Sequence, residues 1–330
     1  MRSFSNANPR DMQQAAKLAQ QARNEGRKPA FTGGGSDILG LIKERIATPD
    51  VLVHLKGIQG ANKVEAKGGV TLIGGQITLS DLSHNDVIRK RYAVLAEAAG
   101  SVATPQIRNA GTLAGNVCQR PWCWYFRNGF PCFKAGGNQC FSANGENQFH
   151  AIFGGGPSFI VHPSDTAVAL MALEAKFHIV GPGGEKTLSA ADFFTLPKQN
   201  PAKENALADD EVLASVELPA APAGQKSSYH KVLDRDAWTH AVVSTAVVLD
   251  MNGDTCRSAR IVLGGVAPIP WRVPDAEKVL AGQRVTPELA AKAAETALAG
   301  AQPLAKNAYK IPLTKEIVQR TVSAVAAARA

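Results

Sequence analysis

Four of the five cysteines fall in NVCQRPWCWYFRNGFPCFKAGGNQC, residues 116–140, at positions 118, 123, 132 and 140. Thiolates this dense in a long chain point to metal or redox work; a disulfide framework would tie distant segments of a much smaller protein together. The spacing C-x4-C-x8-C-x7-C contains none of the C-x2-C pairs of zinc ribbons and differs from the ferredoxin run, which makes zinc the less favoured metal. Cys256, between two strand-like runs, reads as a lone thiol.

Glycine-rich loops form a second set. TGGGSDIL, residues 32–39, sets three glycines between a strand and a helix, where backbone N–H groups can converge on an anion such as a pyrophosphate. It is neither the dinucleotide fingerprint nor a Walker loop, and a tight turn needing positive φ accounts for it equally well. TPQIRNAGTLAGN, residues 104–116, brings Arg108, Asn109, Thr112 and Asn116 together, donors suited to phosphate or to the polar edge of a flavin ring. In HPSDTAVAL, Ser164 and Asp165 stand at a helix start, where simple capping is the plainer function.

The elements that must position these groups are legible in outline. Apolar spacing predicts a helix over about residues 10–25, a second over about 86–99 ending at a Gly100 cap, and a closing helix over about 312–328. Thr286 and Pro287 open another helix as N-cap and first position. Strands are expected at VLVHL, VTLIGGQITL, AVVSTAVVLDM and SARIVLGGVA, and TAVALMALEAKFHIV reads as helix then strand. LPAAPAGQK, residues 218–226, is the expected linker between two domains. The order of elements indicates an α+β chain without the alternation of a doubly wound sheet.

With 330 residues and 45% hydrophobic content, the chain is long enough for two or three packed units. The net charge of +8 comes from 36 basic residues scattered among 28 acidic ones, without a basic run, which argues against nucleic acid as a partner. No stretch of about eighteen apolar residues predicts a membrane span. MRSFSNANPRDMQQAAKLAQ lacks the apolar centre of a secretory signal, so the expected compartment is the cytoplasm.

The order GGGSDIL, PQIRNAGTLAGN, HPSD and GGVAPIPWR resembles the FAD-binding subunit of the xanthine dehydrogenase and carbon monoxide dehydrogenase family of molybdenum hydroxylases, over essentially the whole chain. The resemblance implies a two-part FAD-binding domain of the PCMH type over residues 1–220, followed by a smaller α/β domain of the CO dehydrogenase flavoprotein C-terminal type over 226–330. It assigns Thr32, Gly33, Gly34, Gly35, Ser36, Asp37 and Ile38 to the phosphate side. Arg108, Asn109, Gly111, Thr112, Gly115 and Asn116 fall on the ring and ribityl side, Asp165 at a cofactor hydroxyl, and Lys231, in YHKVLDRDAW, near the flavin.

A subset of that family, resembling hydroxybenzoyl-CoA reductase and the periplasmic aldehyde oxidoreductases, inserts a loop that carries a [4Fe–4S] cluster, and residues 117–158 look like that insertion. The resemblance maps three ligands to Cys123, Cys132 and Cys140, but the fourth position, four residues before the histidine of HPSD, is Ser158. Three outcomes are open: Ser158 completes the cluster, which is the favoured reading, Cys118 replaces it, or the cluster is incomplete or lost. Arg120, Arg127 and Lys134 are expected to offset the cluster's negative charge, and the neighbouring aromatic residues to exclude water.

The implied function is electron transfer. A large molybdopterin subunit oxidises the substrate, a small subunit with [2Fe–2S] clusters relays electrons, and FAD in this chain passes them to an external acceptor in a heterotrimer. No catalytic acid or base is expected here; His162 reads as packing, and His230 and His240 as surface or domain-interface residues. A self-contained FAD-dependent oxidoreductase and a zinc-stabilised non-redox binding module are the alternatives. A partner with a twin-arginine signal would carry the folded chain into the periplasm.

Overall fold

The computed structural model describes residues 2–237 and 239–328. Trp238, the last residue of YHKVLDRDAW, lies outside them, as do Met1, Arg329 and Ala330.

The chain opens with a small parallel sheet whose central strand Val51–His54 pairs with Ser5–Ala7 on one side and Pro29–Thr32 on the other. Helix Met12–Asn24 lies close to it because its buried stripe is made of Ala15, Ala16, Ala19 and Ala22, side chains too small to hold it off. Asp11 caps that helix, its carboxylate accepting from Gln14 N at 2.7 Å. The strand Pro29–Thr32 delivers the glycine loop at its C-terminal end.

A second sheet is wholly antiparallel, in the order Val64–Lys67, Val70–Gly74, Val212–Leu218, Lys176–Gly181 and Gly184–Ser189. It shares one apolar core with Leu79–His84, Ala93–Gly100, Leu113–Val117 and Asp165–Ala172. Every residue of Asp165–Ala172 is buried, so this helix is apolar all round except where its N-terminus carries Asp165 and Thr166.

The C-terminal sheet runs Trp271–Arg272, Thr255–Gly264, Val243–Asn252 and Gln225–Val232. Its central strands are apolar at successive positions because both faces are covered. Ala246, Val248 and Val262 join the core of the preceding domain, whereas Val247, Leu249, Ile261 and Leu263 face helices Pro274–Leu280, Pro287–Ala297 and Lys310–Ala327. The arrangement is the expected α+β architecture.

Two local expectations are corrected. The run over 86–99 is two helices, Asp86–Arg91 and Ala93–Gly100, broken at Tyr92, which leaves helical geometry while its buried hydroxyl donates to Pro219 O at 2.8 Å. Gly100 is the last helical residue and Ser101 the cap, with no left-handed glycine. Among the described residues no helix is long and apolar enough to cross a membrane.

Candidate functional site

The two glycine loops meet backbone to backbone. A Cβ on Gly34 would stand 1.9 Å from Ala110 O, and one on Gly33 2.6 Å from Thr112 Oγ1, so neither position admits a side chain. Gly35 takes φ +78°, a conformation glycine adopts without strain. The amides of residues 33 to 37 donate to no acceptor among the described residues, and buried Gln76 Oε1 beside them has no partner there. Consecutive unclaimed N–H groups on a concave turn are an anion cradle.

Beyond the cradle lies a cavity of about 440 Å³, into which Ser36, Asp37, Gly111, Thr112, Gly115 and Asn116 project from the glycine loops, Asp165 from its helix and Lys231 from the C-terminal sheet. Thr112 and Ser164 act as N-caps, accepting from Gly115 N and Ala167 N. Asn116 Oδ1 accepts from Ser164 Oγ and Thr166 Oγ1, both at 2.6 Å, which orients its amide and leaves Nδ2 without an acceptor among the described residues. Asp165 is held across the domain boundary: Tyr229 donates to Oδ1 at 2.6 Å and Lys231 to Oδ2 at 2.7 Å. Burial, then the Asp165 charge, raises the Tyr229 pKa well above its ordinary value, so the phenol stays a donor.

Several residues stand elsewhere than a phosphate or ring role suggests. Asp37 binds the cysteine segment, Oδ1 accepting from Arg127 Nη2 at 2.7 Å and Oδ2 from Arg120 N at 2.9 Å. Arg108 turns to Val102 O at 2.7 Å and Asn109 is exposed; neither lines the cavity, nor do Thr32, Ile38 and the cradle glycines Gly33, Gly34 and Gly35. Sequence reasoning missed the aromatic end of the cavity, where Trp122, Trp124, Phe149 and His240 gather. From sequence Trp122 and Trp124 are expected only to cover the thiols, and the tilted Trp122–His240 contact at 5.3 Å joins residues too far apart in sequence to signal each other. His240 is half-buried with Nδ1 3.3 Å from Pro163 O, at the domain interface as expected.

In the cysteine segment, Cys123 and Cys132 share a small apolar cluster with Leu41 and Phe126, apart from Cys118, which packs against the core under the glycine loops. Burial pushes the Cys118 thiol up to about 12 and Cys123 to about 11, the latter helped by Cys140 and Cys132 nearby. His150 Nε2 lies 3.3 Å from Cys123 Sγ, and Phe159 N donates to Cys140 Sγ at 3.4 Å, which places buried Ser158 next to that thiol. Among the described residues no three His, Cys, Asp or Glu side chains converge tightly enough to hold a single metal ion.

Charge and solvent here differ from expectation. Arg127 is spent on Asp37, while Arg120 and buried Lys134 stand 2.9 and 3.0 Å from Glu204, close enough for ion pairing though not aligned as hydrogen bonds. Two carboxylates thus absorb most of the charge of three cations. Phe126 is buried, but Trp122 and Phe130 are 47% and 40% exposed, so the aromatic residues form a partial shield. His162 packs edge-on against Phe194, and burial lowers its pKa to about 3.

Residues 2–221 match the model of the FAD binding domain in molybdopterin dehydrogenase, and residues 228–325 that of the CO dehydrogenase flavoprotein C-terminal domain. The chain belongs to the FAD-binding medium subunits of the molybdenum hydroxylases. It is 36% identical over 302 residues, 90% of each chain, to the aldehyde oxidoreductase FAD-binding subunit PaoB of Escherichia coli K12. It is 28% identical over 321 residues to the carbon monoxide dehydrogenase medium chain of Hydrogenophaga pseudoflava, covering 96% of this chain and 94% of that one. A solved structure of that organism's enzyme, in a form lacking the Mo-pyranopterin moiety, superposes with TM-score 0.77 at 26% identity over 98% and 97% of the two chains. The medium-subunit family sets aside the non-redox zinc module and makes FAD the cofactor against which the crevice is to be judged. The cradle and the unclaimed Asn116 amide fit that cofactor: an anion-binding turn at one end, a polar donor in the middle and aromatic walls at the other.

Proposed function

We propose that this chain is the flavin-bearing electron-transfer subunit of a heterotrimer, with a large molybdopterin subunit that oxidises an aldehyde and a small [2Fe–2S] subunit that supplies the electrons. The observation that carries this reading is the crevice itself, which two domains complete with donors, a buried Asp–Lys pair and aromatic walls, and in which, among the described residues, neither carboxylate of the lining, Asp37 or Asp165, is free of a cation to act as a substrate base. A self-contained oxidase would need such a base. The aldehyde class rests on the name of the 36% identical relative.

Bound FAD supplies the exchange of electrons one or two at a time. In this reading the backbone of Gly33, Gly34, Gly35, Ser36 and Asp37 holds the pyrophosphate, and Gly111, Thr112, Gly115 and Asn116 flank the ribityl and ring portion. Asp165 accepts from a cofactor hydroxyl while Tyr229 and Lys231 hold it in place. Trp122 and His240 exclude water at the aromatic end.

We further propose that Cys123, Cys132 and Cys140 hold a [4Fe–4S] cluster, with Ser158 beside the open corner. The support is the cluster shared by Cys123 and Cys132, the nearness of Cys140 to Cys123, the N–H of Phe159 on Cys140 and the packing of Cys118 against another core, which leaves that thiol outside the ligand set. Purification from the native host tests both proposals. The expected result is two co-purifying chains, molybdenum, and iron in excess of that held by the [2Fe–2S] partner, with flavin bands and a broad shoulder in the visible spectrum. A lone chain free of molybdenum would overturn the heterotrimer, and an isolated subunit with flavin but no iron would overturn the cluster.

A further inference from the structure

The far half of the cysteine insertion is supported from both domains: Trp124 and Tyr125 of its own hold Glu146, and the C-terminal domain holds the rest. Residues 142–151 lie on the C-terminal domain, held by the loop and helix start at 304–310. Asn307, wholly buried, donates through Nδ2 to His150 O at 3.0 Å and Ala151 O at 3.3 Å, and its Oδ1 accepts from Leu304 N at 2.6 Å. Asn147, also wholly buried, accepts from Lys306 N at 2.9 Å and donates to Ser142 O at 3.0 Å. Lys310 reaches Phe149 O at 2.8 Å and Gly265 O at 2.6 Å, with its ammonium fully buried. Three fully buried polar side chains spent on one strap of main chain cost too much desolvation to be incidental.

What the strap presents is His150. Its ring is buried, Nε2 is 3.3 Å from Cys123 Sγ, and Nδ1 has no partner among the described residues. Of the two neutral tautomers, the one with Nδ1–H would bury an unpaired donor. The other places Nε2–H on the sulfur and leaves only a lone pair unsatisfied, the smaller loss.

We propose that His150 donates a hydrogen bond to the Cys123 thiolate, and that Asn307 and Lys310 of the C-terminal domain are positioning residues that hold it there, so that the iron–sulfur site is completed by both domains. This rests on the cluster assignment above. A donor on a ligand sulfur favours the reduced, more negative cluster and raises its potential.

The test uses the complex purified from the native host with His150→Leu, His150→Gln and Asn307→Ala, reading iron and labile sulfide per flavin and the midpoint potential of the cluster. The expected result is a more negative potential in His150→Leu, recovery toward the parent value in His150→Gln, which keeps an N–H, and a weaker hold on iron in Asn307→Ala by about 10- to 100-fold. If His150→Leu loses the cluster outright, its retention in His150→Gln supports the proposal and equal loss in both overturns it. An unchanged potential with full iron in His150→Leu overturns it too. A parent subunit without iron overturns the cluster assignment itself.

Discussion

Asp37 Oδ1 and Arg127 Nη2 meet at 2.7 Å across ninety residues of sequence, joining the anion cradle to the cysteine segment. The Arg127 side chain is 7% exposed and Asp37 19%, and the guanidinium also lies over the Trp122 ring at 4.3 Å. Asp37→Ala leaves this cation nearly buried without its partner. The expected loss of stability is about 3 kcal/mol, the low end for breaking a buried pair. Chemical denaturation measures it, and a change within experimental scatter would show that the two loops are joined by other contacts.

Gly34→Ala forces a methyl group to within 1.9 Å of Ala110 O, where only backbone can give way. Overpacking of this kind costs roughly 1–3 kcal/mol, and if the strain is relieved by parting the loops, FAD affinity falls about 10- to 100-fold. Titration of flavin-stripped protein with FAD reads the change directly. Gly26→Ala, in open space at φ +72°, is the control: it strains its own turn without touching the cradle.

Asp165 and Lys231 form an ion pair between domains, with side chains 5% and 4% exposed. Lys231→Met leaves the carboxylate buried on Tyr229 alone and is expected to cost about 3–5 kcal/mol. Tyr229→Phe removes one hydrogen bond to a charged acceptor, about 2 kcal/mol. Both should weaken FAD retention on gel filtration, Lys231→Met the more strongly. The reverse order would mean that the ammonium is not what fixes Asp165.

Two buried histidines set the acid limit. Burial, aided by the charge of Lys310, lowers His150 to about 4, and burial, aided by Lys134, lowers His162 to about 3. The unfolded chain protonates near 6.5, so below that pH it binds protons the folded state refuses, and stability falls as pH drops from about 6.5 towards 4. The loss is on the order of 3 kcal/mol per histidine by pH 4. His162→Phe should flatten the acid limb of a plot of stability against pH; an unaltered limb would place the titrating group elsewhere.

The two glycine loops, the HPSD turn and the thiol cluster could all be read from residue order because each is a local device. A glycine that must turn at positive φ, a Ser at a helix start and a cysteine-dense loop announce themselves within a few positions. The break at Tyr92 could not be read, since helical spacing continues through it and the hydroxyl that fixes it bonds to Pro219, 127 residues away. The charge environment of the thiols was misjudged for the same reason. Arg120 and Lys134 are near the cysteines in sequence, but their charges pair with Glu204, which only the fold brings there.

By itself the order of residues determined the α+β class, the cradle, the candidate ligands Cys123, Cys132 and Cys140 and the family, because these depend on chain chemistry within short windows. Tertiary structure alone decided that Asp37 anchors a neighbouring loop, that Trp122 and His240 wall the cavity beyond the cradle, and that Asn307 and Lys310 carry the strap bearing His150. Those relationships are set by which loops and which domain surfaces pack against each other. A buried polar group takes whatever partner that packing offers, since leaving it unpaired costs more than any local preference can repay.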